Sequence, residues 1–441
     1  MPGRIALAFV ALAALAAPAS AFDVQTLKAP KGEQVWFVED HTLPMIAMVA
    51  ALPAGSAYDP RGKEGLATFD AAMLDEGAGA LNSKAFHEAL SNRAIRLSVS
   101  PDRDYTIISL VTLRENANEA FRLLGLALTK PRFDGDAIVR TRAQILTSLR
   151  GDQEDPATVA GNAFFNAFYA GHPYAHPSKG YAGTVVHIQR GDLISFARNH
   201  WVRGGMKIAV SGDVDAATLQ SLLNSAFGNI PATTPPPIPP LRHTGAPGVH
   251  ILPMPVPQPN IVFGEPAMAR TDKDFLPAYV ANYILGGGGF SSRLMNEVRE
   301  KRGLTYGIST ELAALQRGGV MVGQVATRAD AVTQTIKVVR DTITAYVAGG
   351  PTPAELADAK TYLTGSFPLA FSSNAGIASQ LSVFQRQGLG PDYVAKRNAL
   401  INAVTVDDVK RASARVFIPS RLTIVIAGTP VKPKPTPLPA K

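Results

Sequence analysis

GDLISFARNHWVRGGMKIAVSGDV, residues Gly191–Val214, is written a second time as DDVKRASARVFIPSRLTIVIAGTP, residues Asp407–Pro430, a shift of 216 positions without a gap. In each copy an acidic residue is expected to cap a helix, a turn follows, and a β-branched strand ends at glycine, Gly212 or Gly428. The front ends agree as well. LATFDAAMLDEGAG (residues 66–79) resembles PAYVANYILGGGGF (277–290), a helix running into glycine. SKAFHEALSNRAIRLSV (83–99) resembles SSRLMNEVREKRGLTYGI (291–308), a helix followed by a strand. Agreement at both ends of two similar segments marks a duplication. Each copy reads strand, helix, helix, two strands, several helices and a closing strand. Alternating strands such as YTIISLVTL from Tyr105 want helices on one face and a second sheet or water on the other. The expected fold is α+β, two homologous α/β sandwich domains.

Between the copies lies PATTPPPIPP, Pro231–Pro240, whose six prolines fit neither a helix nor a central strand. It reads as a stiff, extended connector. The domains are therefore expected at residues 22–230 and 248–429, joined by a linker at 231–247. Residues 430–441, rich in proline and lysine, read as a disordered tail. Residues 1–21 combine Arg4, an apolar run from Ile5 to Ala17 and a small-residue site at Ala19-Ser20-Ala21, the pattern of a cleaved export signal. The run is too short for a comfortable membrane span, so a periplasmic protein without a stable membrane anchor is expected. The chain has no cysteine, which excludes disulfides, thiolate metal sites and a cysteine nucleophile. Without Arg4, 42 basic residues face 35 acidic ones. These charges are scattered, with no basic stripe interleaved with aromatics, so nucleic acid is not an expected partner.

Chemistry is scarce. A zinc helix needs two histidines at i and i+4 with a nearby glutamate. FHEALSN carries His87 and Glu88 but has Ser91 where a second ligand is needed. His172 and His176 in GHPYAHP have the spacing, but Pro173 and Pro177 break any regular helix there. Neither a G-x-S-x-G elbow nor a G-x-x-x-x-G-K-[ST] phosphate loop is present. On the residues alone, the small face Thr68, Ala71 and Ala72 reads as packing. The glycines Gly286, Gly287, Gly288 and Gly289, before a helix capped by Ser291 or Ser292, leave two readings open: a flexible connection, or backbone N–H groups that approach a ligand. Arg299 in the last helical turn and Tyr306 on the following strand read on their own as capping and packing.

Taken together, the duplicated layout, the glycine-ended first helix, GHPY, VSGDV and SSRLMNEVREKRGLTYGI resemble the pitrilysin or insulinase family of zinc peptidases, the subgroup of mitochondrial processing peptidase. Active members carry H-x-x-E-H on the first helix and a distal glutamate further along. The resemblance places Thr68 and Ala72 at the histidines, Ala71 at the glutamate, and the distal position near Ser148. It thus implies a zinc-free chain. It also implies that Arg299 and Tyr306, seven residues apart, are the family's pair that holds the substrate carbonyl and oxyanion, and that Gly286–Gly289 correspond to a substrate-contacting loop. The expectation is a chain inactive alone, with peptide substrates and a zinc-bearing H-x-x-E-H partner that completes a heterodimeric peptidase. A structural scaffold and a peptide-binding protein are the alternatives.

Overall fold

A computed structural model describes residues 23–29 and 32–431. The expected export signal and all of the expected tail from Lys432 onward lie outside the described residues. Its first half contains strands β1 (Gln25–Lys28), β2 (Gln34–Glu39), β3 (Met45–Leu52), β4 (Gly77–Ala78), β5 (Leu81–Asn82), β6 (Arg96–Pro101), β7 (Thr106–Leu113) and β8 (Lys207–Gly212). Its helices are α1 (Leu66–Ala72), α2 (Ser83–Ser91), α3 (Ala117–Thr129), α4 (Gly135–Glu154), α5 (Pro156–Phe168), α6 (Ala182–Val185), α7 (Arg190–His200) and α8 (Ala216–Phe227). The second half holds β9 (Gly248–Leu252), β10 (Asn260–Ala267), β11 (Ile308–Leu315), β12 (Gly318–Ala326) and β13 (Thr423–Ala427). With them come α9 (Phe275–Asn282), α10 (Val332–Gly349), α11 (Pro353–Gly365), α12 (Asn374–Arg386), α13 (Tyr393–Ala403) and α14 (Val406–Val416). Among the described residues, no helix is long and apolar enough to cross a membrane.

The duplication is visible in space. One sheet has the order β1-β2-β8-β3-β7-β6 and the other β9-β13-β10-β12-β11, so five strands correspond one to one and β1 is an addition. Each sheet has one parallel pair, β2 with β8 and β9 with β13. The helices α7 and α14 begin at Arg190 and Val406, and the closing strands at Lys207 and Thr423, both separated by 216 residues. Gly212 and Gly428 end those strands with φ of 139° and 142°. A Cβ there would come within 2.1 Å of the Met45 carbonyl oxygen in the first copy and 2.6 Å of Pro259 in the second, so only glycine closes either strand. The expected caps need correcting. Gln189 and Thr405 are the N-caps, while Asp192 and Asp408 stand three residues on and accept the cap N–H groups at 2.7 and 2.9 Å. The acids are thus the returning half of a capping box.

The first core lies between one face of the first sheet and its own helices, with Phe37, Met48 and Val210 meeting Phe69, Phe121 and Leu193. The outer face carries Trp36, Val38 and Ala209, too apolar for water. Over β2, β3 and β8 neither a second sheet nor solvent covers it, while the alternating β7 keeps half-buried residues on that face. It is covered by α12 from the second half, through Ile377, Leu381 and Phe384. The converse also holds: α5 from the first half places Ala160, Phe164 and Phe168 on Val262, Val320 and Val425 of the second sheet. Each large apolar side chain buried this way contributes about 1.5–3 kcal/mol. The halves are therefore clasped by an exchange of helices. The linker, without helix or strand from 231 to 247, is fastened as well. Arg203 and Gly204 donate their N–H groups to the carbonyls of Pro231 and Thr233, and Ile238 is buried.

Candidate functional site

Helix α1 starts where Gly65 turns with a φ of 99° and the Asp59 carboxylate accepts the N–H groups of Gly65 and Ala67, both at 2.7 Å. Burial pushes the Asp59 carboxyl up to about 8, against the pull of those two donors. Ala71 is buried, Ala72 is exposed, and the half-buried Thr68 donates its hydroxyl to the Ser178 carbonyl at 2.6 Å. None of the three offers a metal ligand: two lack a polar atom and the third is engaged. Ser148 on α4 is occupied too, because the Lys179 ammonium donates to it at 2.9 Å and to Asp152 at 2.9–3.0 Å. The segment Ser178–Lys179 thus joins the Thr68 end of the small face to Ser148, and a side-chain cation ends up at the position that the resemblance gives to the distal ligand.

Lys179 was missed in the sequence reading. No local signal marks it, since its partners on α4 lie 27 and 31 residues away. Asp70, beside the small face in sequence, points into the core instead. It is fully buried, neither oxygen accepts a hydrogen bond of normal geometry, and burial holds its carboxyl far above the usual carboxylate range. Among the described residues, no group of three or more His, Cys, Asp or Glu could hold a metal ion. The residues present do not fit zinc. His172 closes a turn by accepting the Tyr174 N–H at 3.1 Å, and its other ring nitrogen donates to the Pro239 carbonyl in the linker at 2.9 Å.

In the second half α9 widens into one π turn, Tyr283–Gly287, followed by a tight turn at Gly289–Ser291. The glycines divide in role. Gly286 is buried against β11, where a Cβ would come within 2.4 Å of the Thr310 hydroxyl. Gly289 has a φ of 58° and open space around it. Gly287 and Gly289 are exposed and Gly288 half-buried, so these three, unlike Gly286, reach the surface, with the Gly288 N–H donated to the Tyr283 carbonyl at 2.7 Å. A second π segment, Met295–Glu300, follows Ser292, whose hydroxyl faces the Met295 N–H at 3.4 Å. Such widened turns are frequent at functional sites.

Arg299 lies in that segment's last turn, its guanidinium 4.7 Å from the centre of the Phe290 ring and ion-paired with Glu300. Phe290 directly follows the glycines, so Arg299 is drawn against the glycine turn. Tyr306 is 88% exposed. It stands in the loop before β11 rather than on the strand, because the Thr305 hydroxyl folds back on Gly307 and strand pairing begins only at Ile308. No hydrogen bond or ion pair joins Arg299 to Tyr306, or either to Thr68, Ala71 or Ala72, among the described residues. The pair belongs to the second half and the small face to the first.

Comparisons with known proteins agree with this two-domain fold. Residues 37–180 fit the family model described as Insulinase (Peptidase family M16), and residues 187–363 the one described as Peptidase M16 inactive domain. A non-peptidase homolog, YmxG, of Helicobacter pylori is 27% identical over 349 residues, 79% of this chain and 80% of that protein. An uncharacterized zinc protease of Rickettsia felis is 22% identical over 84% of this chain and 90% of its own length. Among solved structures, a peptidase M16 inactive domain from Pseudomonas fluorescens superposes with a TM-score of 0.89 at 30% identity, covering 94% of this chain and 99% of that one. Complex III of Candida albicans contains a chain with a TM-score of 0.77 at 16% identity over 92% of this chain and 96% of that one, a likeness of fold.

Proposed function

The chain belongs to the insulinase family of peptidases, peptidase family M16, and from that premise we propose that it is the zinc-free subunit of a two-chain periplasmic peptidase. The observation that carries this reading is an asymmetry. The metal positions hold Thr68, Ala71 and Ala72, with Lys179 on Ser148, while Arg299 and Tyr306 keep the family spacing and the Tyr306 ring stands free in solvent. A zinc-bearing partner of the same family would supply the metal and the base. This chain would bind and orient the peptide. The surface turn Gly287–Gly289 borders the peptide, its Gly288 N–H being spent on the Tyr283 carbonyl, and the Arg299 guanidinium and Tyr306 phenol donate hydrogen bonds to the oxygen of the scissile carbonyl.

Removing one such donor typically costs about 10²-fold to 10³-fold in rate. Arg299→Ala or Tyr306→Phe should lower kcat of the assembled complex by that order, measured on a quenched peptide library. The thermal midpoint should stay unchanged for Tyr306→Phe, because the exposed ring has no partner to lose. A complex that keeps full activity in both variants would refute the assignment. The engagement of Arg299 by Glu300 and Phe290 favours a second reading, a non-proteolytic scaffold. Purification from the periplasm separates the two: a co-purifying H-x-x-E-H chain with chelator-sensitive cleavage supports the peptidase, and a stable but inert assembly supports the scaffold.

A further inference from the structure

A cavity of about 440 Å³ opens beside the glycine turn, with Gly287 in its wall. Its rings include those of Tyr279, Tyr283, Tyr362, Phe367, Phe384 and Tyr393. Two guanidiniums line it and no carboxylate does. Arg397 lies 4.2 Å over the Phe367 ring, and Arg270 donates to the Gln387 amide oxygen at 2.9 Å and the Tyr393 hydroxyl at 2.7 Å. Arg270, Val383 and Gln387 also line a second cavity of about 450 Å³, so the two hollows share a wall. This second cavity lies between the halves, where Lys207 of the first half meets Arg317, Gln385 and Arg386 of the second.

Charge in the second cavity is unbalanced. Lys207, Arg270, Arg317 and Arg386 face only Asp102 and Asp104. Asp102 is taken by Arg386 at 2.9 Å and by two backbone N–H groups. Asp104 accepts from the Tyr174 hydroxyl and from the Gln316 N–H at 2.9 Å. The side chains of Lys207 and Arg317 make no hydrogen bond or ion pair among the described residues. Gln385 is only 5% exposed, and both its amide oxygen and its amide nitrogen lack partners. A buried amide left with a free donor and a free acceptor is costly. Its complement is a group offering one of each, as a peptide unit does. Unpaired cations beside it call for a carboxylate.

We propose that the two adjoining cavities bind one extended peptide segment, an aromatic or large apolar side chain seated among the rings and a carboxylate a few residues away held by Lys207 and Arg317. Gln385 turns its amide to a backbone unit of that segment. The carboxylate is either the chain end or an acidic side chain. The inference rests on the peptidase-subunit reading and names its substrate class. Each hollow is of a size that holds small ligands, and the glycine turn leads into the first.

The test uses the purified chain alone and the peptide Gly-Ser-Phe-Ala-Glu-Ala carrying fluorescein at its N-terminus, read by fluorescence anisotropy. The peptide is made with a free or amidated C-terminus, and with Glu or Gln. Loss of tenfold or more in affinity on removing one of the two carboxylates is expected and identifies which source is held. Replacing Phe by Ala should cost a similar factor. The Lys207→Gln/Arg317→Gln double variant should lose the preference for the acid while binding the neutral peptide as before, and Ala370→Trp, which fills the ring cavity, should abolish the preference for Phe. Equal affinity for all versions overturns the proposal. So does a folded double variant that retains the preference. Should the variants fail to fold, the peptide series on the unaltered chain decides by itself. No zinc or partner enters the assay, so this proposal and the two-chain peptidase reading can fail separately.

Discussion

Tyr306 and Glu265 stand at opposite extremes of solvent contact, and only the first could be singled out by reading along the chain. Tyr306 is legible because its distance from Arg299 survives in the sequence. What holds Arg299 is not legible, since the stacking of Phe290 depends on how the glycine turn folds back. Glu265 in β10 looks like any surface acid in sequence, yet it is fully buried, with one oxygen accepting the Ile418 N–H at 2.7 Å and the other unpartnered. Burial pushes its carboxyl up to about 8. The folded chain therefore keeps a proton that the unfolded chain releases above its ordinary value of 4.5. Stability linked to this residue is present at low pH and drains as pH rises from there toward 8. Glu265→Gln keeps the shape and removes the titration. Its thermal midpoint at pH 8 should exceed the parent's by about 3 °C or more, with the gap closing by pH 5, as read by circular dichroism. An equal gap at both pH values would show that the carboxyl is not held neutral.

Helix α1 was foreseen as a short helix with a small face, and the reading of that face as a vacated site comes from the resemblance. The periodicity of its own residues says only that the face is small. The ammonium of Lys179 could not be foreseen, because a salt bridge to α4 is a property of two elements and of the turn that brings them together. It leads to a concrete expectation. Thr68→His/Ala71→Glu/Ala72→His/Ser148→Glu puts ligands at the positions that the resemblance assigns to them, but Lys179 would then pair with the new glutamate and compete with the metal. Adding Lys179→Ala should tighten zinc binding by roughly tenfold or more, the scale typical of groups that contact a ligand rather than the metal. Competition against a coloured chelator measures it. Equal affinities with and without Lys179 would show that the lysine does not guard the position.

At the scale of the whole molecule, the repeat of 216 residues announced two alike halves, and the structure returns the same strand order in both. The exchange of α5 and α12 was not announced, since the apolar face of a helix does not say which sheet it will cover. Because each sheet depends on the other half's helix, residues 23–230 and 248–431 produced separately should aggregate. Co-expressed as two chains they should assemble and co-purify with a single cooperative unfolding transition. Two separately well-folded monomers would refute the dependence. The exchange also carries a history. Two copies that each cover the partner's sheet have the form of a symmetric swapped dimer, and the proline linker turns that dimer into one polypeptide. In separate identical chains every substitution would have appeared in both copies at once. Fusion uncouples them, and so the helix that carries Thr68, Ala71 and Ala72 in one copy can carry Tyr279, Asn282 and Tyr283 at the matching positions in the other.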